Sequence, residues 1–170
     1  MDVQALVEHI ASLRRYARAL TGDAWAADDL VQDTLERACA RWRLWLAGTD
    51  LRAWLFTLMH NLFISQVRQG QRRSAAGPAL DVDELAHTLQ APDAPPGMHL
   101  DLQRCLLRLP PDQRAILLLV CVEELSYAEA AKVTGVPVGT VMSRLARARE
   151  RMRALLQEPG RATPALRRLK

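Results

Sequence analysis

Cysteine is scarce in this sequence and follows no pattern. The chain of 170 residues has three cysteines, Cys39, Cys105 and Cys121, at wide spacing and without a Cys-x-x-Cys pair. A disulfide framework needs paired cysteines, and a zinc site of the usual kind needs closely spaced ligands. Neither therefore organises this chain. We predict that the three cysteines are buried thiols and that the four scattered histidines are ordinary surface or core residues.

Long apolar runs and catalytic motifs are absent as well. No apolar run approaches the length needed to span a membrane, and the first residues lack the charged and apolar regions of a signal peptide. The sequence contains no Gly-x-x-x-x-Gly-Lys, His-Glu-x-x-His or Gly-x-Ser-x-Gly motif and no helical pair of histidines. We expect a cytoplasmic protein that is not an enzyme and has no cofactor, metal, small-molecule substrate or membrane partner.

Helix-forming residues are abundant, and charge is unevenly distributed. Glycine is sparse, β-branched runs are short, and alanine, leucine and arginine dominate, which favours an all-α fold of one domain or two small ones. The formal net charge is +4. Residues 137–170 contain nine Lys or Arg and two Glu, whereas residues 23–36 contain five acids and no base. The basic segment suits a polyanionic partner.

The most specific local pattern lies between residues 125 and 155. Ser126, followed three residues later by Glu129, is a capping box that starts a short helix, and Gly135 supplies the left-handed residue that ends it. A second helix begins near Pro137, and its apolar residues recur at steps of four and three: Val141, Leu145, Ala148, Met152 and Leu155. The pattern is typical of a helix-turn-helix.

The other face of this second helix suits contact with DNA. It presents Met142, Ser143, Ala146, Glu150 and Arg153, with Arg144, Arg147, Arg149 and Arg151 beside them. A recognition helix needs small or adaptable side chains where base edges approach and guanidinium groups where phosphates run. The alternative is a solvated, arginine-rich face of a helical hairpin.

Two helices are predicted before residue 46. Apolar spacing predicts the first from Val3 to Leu20, and residues 21–23 end it and cap the second. On the second helix, one face is predicted to be apolar: Ala27, Val31, Ala38, Trp42 and Trp45. The opposite face carries Asp29, Gln32, Asp33 and Glu36. It is either a solvated face or a docking surface for a basic partner helix.

A third helix is predicted to begin near Leu51, after a loop at residues 46–50, and to end in the basic run 68–73. Its aromatic and amide residues, with the arginines at its end, suit a single-strand binder that stacks bases and contacts phosphates. Core packing is the alternative, and we favour it for Trp54. Asn61 is a polar residue in an apolar helix, so it lies on the exposed face or contacts a ligand.

The chain then divides into two parts. Residues 76–98 are rich in proline and acids and read as a flexible linker. We therefore predict two small helical domains, at 1–75 and 99–158, and a poorly ordered basic tail at 159–170. In the second domain a helix from Asp112 to Cys121, almost wholly apolar from Ala115 on, is predicted to be the buried centre.

The whole chain resembles the extracytoplasmic-function (ECF) sigma factors of bacterial RNA polymerase, which keep only sigma regions 2 and 4. Residues 28–35 (DDLVQDTL) are similar to region 2.2, and residues 53–61 (AWLFTLMHN) to regions 2.3 and 2.4. Residues 109–114 (LPPDQR), 126–131 (SYAEAA) and 139–144 (GTVMSR) are similar to region 4. The combination looks most like the general-stress subgroup, whose members are held by a small soluble anti-sigma protein.

The resemblance implies partners for each surface. The acidic face of the second helix would dock on the β′ clamp of core polymerase, and the second domain would reach the β flap. Contacts to the minus-ten element of promoter DNA would come from Asn61, Ser65, Arg68, Arg72 and Arg73. Contacts to the minus-thirty-five element would come from Thr140, Met142, Ser143, Arg144, Ala146 and Arg147. Asn61, with the loop before Leu51, would hold a flipped base.

Two residues depart from the family pattern. Met142 stands where many members carry Lys or Arg, so a bidentate guanine contact is not available there. Ser65 stands where Asp or Asn is common.

A dissociable initiation factor is the leading hypothesis. The alternatives are a sigma-mimicking module that titrates an anti-sigma protein and an ordinary helix-turn-helix regulator.

Overall fold

A computed structural model describes residues 3–45, 50–75 and 96–157. Every regular element in these ranges is helical, which confirms the predicted all-α class. The α-helices are α1 (Val3–Thr21), α2 (Ala24–Ala40), α3 (Leu51–Ala75), α4 (Pro96–Leu107), α5 (Pro111–Cys121), α6 (Tyr127–Thr134) and α7 (Val138–Gln157). A 3₁₀ turn follows α2 at Trp42–Leu44. Helices α1–α3 are called the N-terminal group below, and α4–α7 the C-terminal group.

The helix ends follow the predicted capping residues. Asp23 caps α2, because its carboxylate accepts a 2.7 Å hydrogen bond from the Ala26 amide. Ser126 and Glu129 form both halves of the capping box at the start of α6, and Gly135 ends that helix with φ +68°. These local signals satisfy backbone groups that helix ends leave unpaired, which is why they locate the turn of the helix-turn-helix correctly.

The predicted extent of the second helix is wrong at its end. α2 stops at Ala40, and Trp42 lies in the 3₁₀ turn with Trp45 as its final cap. The tryptophan rings instead form a cluster, with Trp42 centred 5.0 Å from Trp45 and 6.4 Å from Trp54. Aromatic packing between α2 and α3 outweighs the helical spacing of the sequence here.

The predicted linker differs from the structure at its second boundary. α4 begins at Pro96 rather than after residue 98. Proline suits the first helical position, where its missing N–H would have no partner, and this explains the earlier start. The rest of the predicted linker, the loop at 46–49 and the predicted tail at 159–170 lie outside the described residues.

The buried apolar residues of the two groups form one continuous cluster. Helix α5 is its centre in the C-terminal group, with residues 113–119 all buried, as predicted. Helix α1 packs on α4 and α5, and α3 packs on α5 and α6. The N-terminal and C-terminal groups are therefore closed against one another.

The prediction of three buried thiols is wrong for two of them. Cys105 is buried, but Cys39 and Cys121 are exposed. Cys39 lies on the outward side of α2, and Cys121 is the last residue of α5, where the buried stretch has already ended.

Gly22, in the turn between α1 and α2, has φ +71°, and a Cβ atom there would lie 2.5 Å from Cδ1 of Leu107. We expect Gly22→Ala to lower the free energy of unfolding by about 1–2 kcal/mol, because alanine is strained at positive φ and Leu107 would have to move. Urea denaturation measures the change. Gly70→Ala is the control, because Gly70 is helical and exposed with open space around it. Alanine there should raise the free energy of unfolding by about 0.5–1 kcal/mol. A Gly22 variant as stable as the wild type would contradict the expectation.

Candidate functional site

Helix α7 separates a buried face from an exposed one. Val141, Leu145, Ala148 and Met152 are buried against the rest of the C-terminal group. Met142, Ser143, Ala146 and Arg147 are exposed, and Met142 keeps 52% of its surface in solvent. The outward face therefore carries short or flexible side chains, as a recognition helix requires. Four of the six residues predicted to contact the minus-thirty-five element are accessible together.

The other two residues of that set are partly buried. Thr140 lies in the first turn of α7, and its carbonyl accepts a 3.1 Å hydrogen bond from the Ser143 hydroxyl. Arg144 has a side chain only 29% exposed, and its Nε lies 3.2 Å from Oδ2 of Asp112 on α5. The guanidinium of Arg144 is thus already paired. It would have to exchange that partner, or share it, to contact a phosphate.

The residues predicted for the minus-ten element form one line along α3. Asn61, Ser65, Arg68 and Arg72 follow one another at intervals of four, three and four, so they share one side of the helix. All four are exposed, as is Arg73 beside them. We call these four residues the α3 stripe. It runs from residue 61 to residue 72, eleven steps along the chain or about 16 Å of helix.

The end of α3 that carries the arginines projects from the core. Beyond Phe63 only Ile64 and Val67 still pack partly against the core, and every residue from 68 to 75 is exposed. Three arginines in this projecting segment place positive charge where little protein surrounds it. Such a segment can lie along a nucleic-acid backbone without a steric barrier from its own chain.

The four predicted docking residues are exposed on one face of α2. Asp29, Gln32, Asp33 and Glu36 share this acidic face, and the Gln32 amide donates a 3.0 Å hydrogen bond to Glu36. A groove of about 600 Å³ lies between α1 and α2 next to this face. It is lined by Ile10, Arg14, Asp28, Val31, Gln32, Leu35, Glu36 and Cys39.

The sequence did not show that the acidic face adjoins an apolar groove. Ile10 followed the inward apolar spacing of α1, yet it is only partly buried and lines the groove with Leu35. Arg14 reaches across the groove, with its Nε 3.6 Å from Oδ1 of Asp28. One feature of the sequence could have indicated the groove: apolar residues on α1 and α2 cover more than one side of each helix.

A buried ion cluster was also missed from the sequence. Glu123, in the turn between α5 and α6, has a side chain with no exposed surface. Its carboxylate accepts hydrogen bonds from Arg15 of α1 and Arg52 of α3. The partners lie 108 and 71 residues away in the chain, so no local pattern indicates the pairing.

His60 of α3 is buried where the two groups of helices meet. The pKa of its imidazole is lowered to about 4, chiefly by burial and also by nearby Arg144, while Asp112 opposes the change. Its Nδ1 has no hydrogen-bond partner among the described residues. His60 is therefore neutral at pH 7.

The described residues contain neither a membrane-spanning helix nor a metal-binding cluster. No helix in the described ranges is long and apolar enough to cross a membrane. Within the same ranges, no three His, Cys, Asp or Glu residues come together in a way that could hold a metal ion.

Comparison with known proteins gives matches to both parts of the chain. A family model described as the Sigma2 domain of PhyR matches residues 6–60. A second, described as Sigma-70, region 4, matches residues 99–152. The two matches occur in the order expected from the sequence motifs.

Whole-chain relatives agree with these matches. The ECF RNA polymerase sigma factor EcfG of Rhodopseudomonas palustris (strain TIE-1) is 42% identical over 89% of this chain and 82% of its own length. A structure of the sigma factor RpoE in complex with the anti-sigma factor NepR from Bartonella quintana superposes with a TM-score of 0.80 at 33% identity, covering 92% of this chain and 96% of that one. The PhyRSL–NepR complex from Sphingomonas sp. Fr1 gives 0.65 at 25% identity, covering 91% and 88%. The chain belongs to the ECF RNA polymerase sigma factors.

Proposed function

We propose that this sigma factor binds core RNA polymerase and directs it to promoters that have both a minus-ten and a minus-thirty-five element. The observation that carries the proposal is the separation of charge on the surface. An acidic face lies on α2, whereas exposed arginines lie on α3 and α7. One chain can thus bind a basic protein partner and DNA at once. We assign these tasks to the N-terminal group and to the C-terminal group, which begins with α4 at Pro96, and residues 76–95 connect the two.

The α3 stripe is proposed to contact the minus-ten element. Asn61 lies nearest the core and can hold an unstacked base through its amide, which both donates and accepts hydrogen bonds. Arg68 and Arg72 lie further along the same side and would contact the backbone phosphates, with Arg73 beside them. In this order, the part of α3 that packs on the core recognises a base, and the projecting end contacts phosphates.

The exposed face of α7 is proposed to contact the minus-thirty-five element in the major groove. Met142 and Ala146 lie on this face one helical turn apart and can only offer apolar contact, which the thymine methyl group satisfies. Ser143 and Arg147 add polar contacts beside them. We therefore propose that this protein favours A·T pairs opposite Met142 and Ala146.

Met142→Arg tests this assignment. Arginine can bind guanine through two hydrogen bonds, so the variant should prefer a G·C pair at one position by roughly 10–100-fold, as expected for a contact of about 1–3 kcal/mol. Selection of bound promoter variants followed by sequencing measures the preference. Leu156→Arg is the control, because Leu156 is also exposed on α7 and the substitution adds the same charge about 21 Å away. An unchanged base preference in Met142→Arg would place Met142 outside the contact.

The acidic face and the groove beside it are proposed to dock on the β′ clamp of core polymerase, and the C-terminal group on the β flap. The groove is lined by apolar side chains, among them Ile10 and Leu35, and by the carboxylate of Glu36 on the acidic face. This combination suits a helix with both apolar and basic side chains. We further propose that the protein acts in the cytoplasm in a stress response and is held by an anti-sigma factor. The RpoE–NepR complex supports an anti-sigma partner, because the superposition covers almost the whole of both chains.

Run-off transcription tests the proposed function. Purified core polymerase is assayed with and without this protein on a pool of promoter fragments from the same genome. Transcripts that depend on the protein, from a defined subset of fragments, are the expected result. Their aligned upstream sequences would identify both elements. No protein-dependent transcript from a core enzyme that is active with another sigma factor would contradict the proposal.

A second candidate function is a sigma-mimicking module that titrates an anti-sigma protein. The match of residues 6–60 to the Sigma2 domain of PhyR favours it. The exposed arginines on α3 and α7 count against it, because a mimic has no need to contact DNA. A protein that binds an anti-sigma factor but supports no transcription would have this function.

A further inference from the structure

The Glu123 carboxylate connects three helices of the closed structure. Arg15 of α1 donates from Nε to Oε1 at 3.0 Å and from Nη2 to Oε2 at 2.9 Å. Arg52 of α3 donates from Nη2 to Oε2 at 3.0 Å and to the Glu123 carbonyl at 2.6 Å. Both arginines belong to the N-terminal group and Glu123 to the C-terminal group. We call the three residues the Glu123 cluster.

The surroundings of the cluster hold it in place. The Arg52 guanidinium lies over the ring of Phe56 at 5.3 Å, and Phe56 contacts Tyr16 edge-on with centroids 5.2 Å apart. Glu124 has φ +55°, an uncommon conformation for a residue with a side chain. The turn after α5 thus adopts a strained backbone directly beside the residue that points its carboxylate into the other group.

Other polar atoms buried in the described ranges weaken the closed state. His60 Nδ1, Gln113 Oε1 and Arg114 Nε are buried without hydrogen-bond partners among the described residues. Arg114 of α5 lies over Phe63 of α3, 5.9 Å from the ring centroid, so this contact also joins the two groups. Unpaired buried groups regain water when an interface opens. The Glu123 cluster is a well-paired polar contact that opposes this gain.

The closed structure is too small to contact both promoter elements, and this step rests on the proposed function. The elements are centred about 25 base pairs apart, or about 85 Å along the duplex. A compact chain of this length has a radius of gyration of about 16 Å. The two groups must therefore separate before the α3 stripe and α7 can each contact their element.

We propose that the Glu123 cluster is an intramolecular latch that holds the free protein closed and must break before the protein can contact both promoter elements. The closed state itself does not depend on the proposed function, because the latch acts between parts of one chain. Opening exposes the Glu123 carboxylate and both guanidinium groups to water, which solvates them well. The latch is therefore reversible and needs no covalent change.

The distance between the groups tests the latch in the full-length protein. Fluorescent labels are placed on Cys39 of α2 and on a Glu150→Cys variant of α7, with Cys121→Ser removing the other exposed thiol. We expect the otherwise unchanged protein to be mostly closed, and Glu123→Gln to lower the ratio of closed to open protein by about tenfold. Glu124→Gln is the matched control, because Glu124 is the next residue and exposed, and its substitution should change the ratio much less.

Two results would overturn the latch. One is a protein with Glu123 intact that is already mainly open, and the other is a folded Glu123→Gln protein with the same ratio as the control. If Glu123→Gln does not fold, as judged by circular dichroism, Arg15→Gln replaces it. The Arg15 side chain is 56% exposed, so its substitution does not threaten the core. An unchanged ratio in Arg15→Gln would then overturn the proposal.

A transcription assay separates failure of the latch from failure of the proposed function. At limiting protein, Glu123→Gln should give more promoter-dependent transcript than the wild type if closure limits activity. Altered distances with no transcript from either protein would leave the latch in place and reject the initiation role. Transcripts from both proteins, with the same distance between the labels in each, would reject the latch and support the initiation role.

Discussion

Asp33→Lys should weaken the binding of this sigma factor to core polymerase by about 100-fold. Asp33 is exposed in the middle of the acidic face, and lysine would place a positive charge against a basic partner. Like charges brought together at an interface cost several kcal/mol, which makes a 100-fold change a conservative expectation. Titration of labelled protein with purified core enzyme measures the dissociation constant.

Glu8→Lys is the control for that substitution. Glu8 is exposed on α1, about half a turn away from Ile10 of the groove, and the change in charge is the same. The control should bind core polymerase almost as the wild type does. Asp33→Lys protein that binds with wild-type affinity would remove the acidic face from the interface, and the groove would lose its proposed occupant.

His60 should make the folded state less stable in mild acid. Its pKa is lowered to about 4 in the folded protein, chiefly by burial, against about 6.5 when unfolded. The unfolded chain therefore binds a proton more readily than the folded one. The contribution of the neutral imidazole is fully present above pH 6.5 and is lost as the pH falls towards 4. Between pH 7.5 and pH 5.0 the loss amounts to about 2 kcal/mol.

His60→Gln isolates this effect from the other titrating groups. Glutamine stays neutral, so the variant should lose about 2 kcal/mol less than the wild type over the same interval. Urea denaturation at the two pH values gives both differences. Arg144 and Asp112 face His60 in both proteins, and their charges therefore cancel in the comparison. Equal losses in the two proteins would show that His60 is protonated in the folded state or is not buried.

The helix-turn-helix could be predicted from the sequence because its signals are local. Ser126, Glu129 and Gly135 act within a few residues of one another, and the structure places each as expected. The acidic face of α2 and the α3 stripe were predictable for the same reason, since helical spacing alone brings their residues together. Their binding roles remain predictions.

Contacts between distant segments could not be predicted in this way. The pairing of Glu123 with Arg15 joins residues 108 positions apart, and a single sequence carries no signal for it. The pairing of Arg144 with Asp112 likewise depends on how α5 packs against α7. Trp42 was misplaced because its ring packs against a tryptophan of the next helix. In each case tertiary contacts, which arise only after folding, decided the position of the side chain.

Because one end of α3 projects from the core, we expect the backbone amides at its two ends to exchange hydrogen at different rates. Amides near Leu55 and Met59 lie in a fully buried segment and should exchange only when the protein unfolds. Amides from 68 to 75 have no packing to protect them and should exchange through fraying of the helix end. The arginines of the α3 stripe therefore lie in a helical segment that frays at its end. DNA bound along the stripe would suppress that fraying, and part of the binding free energy would be spent on keeping the last turns of the helix wound.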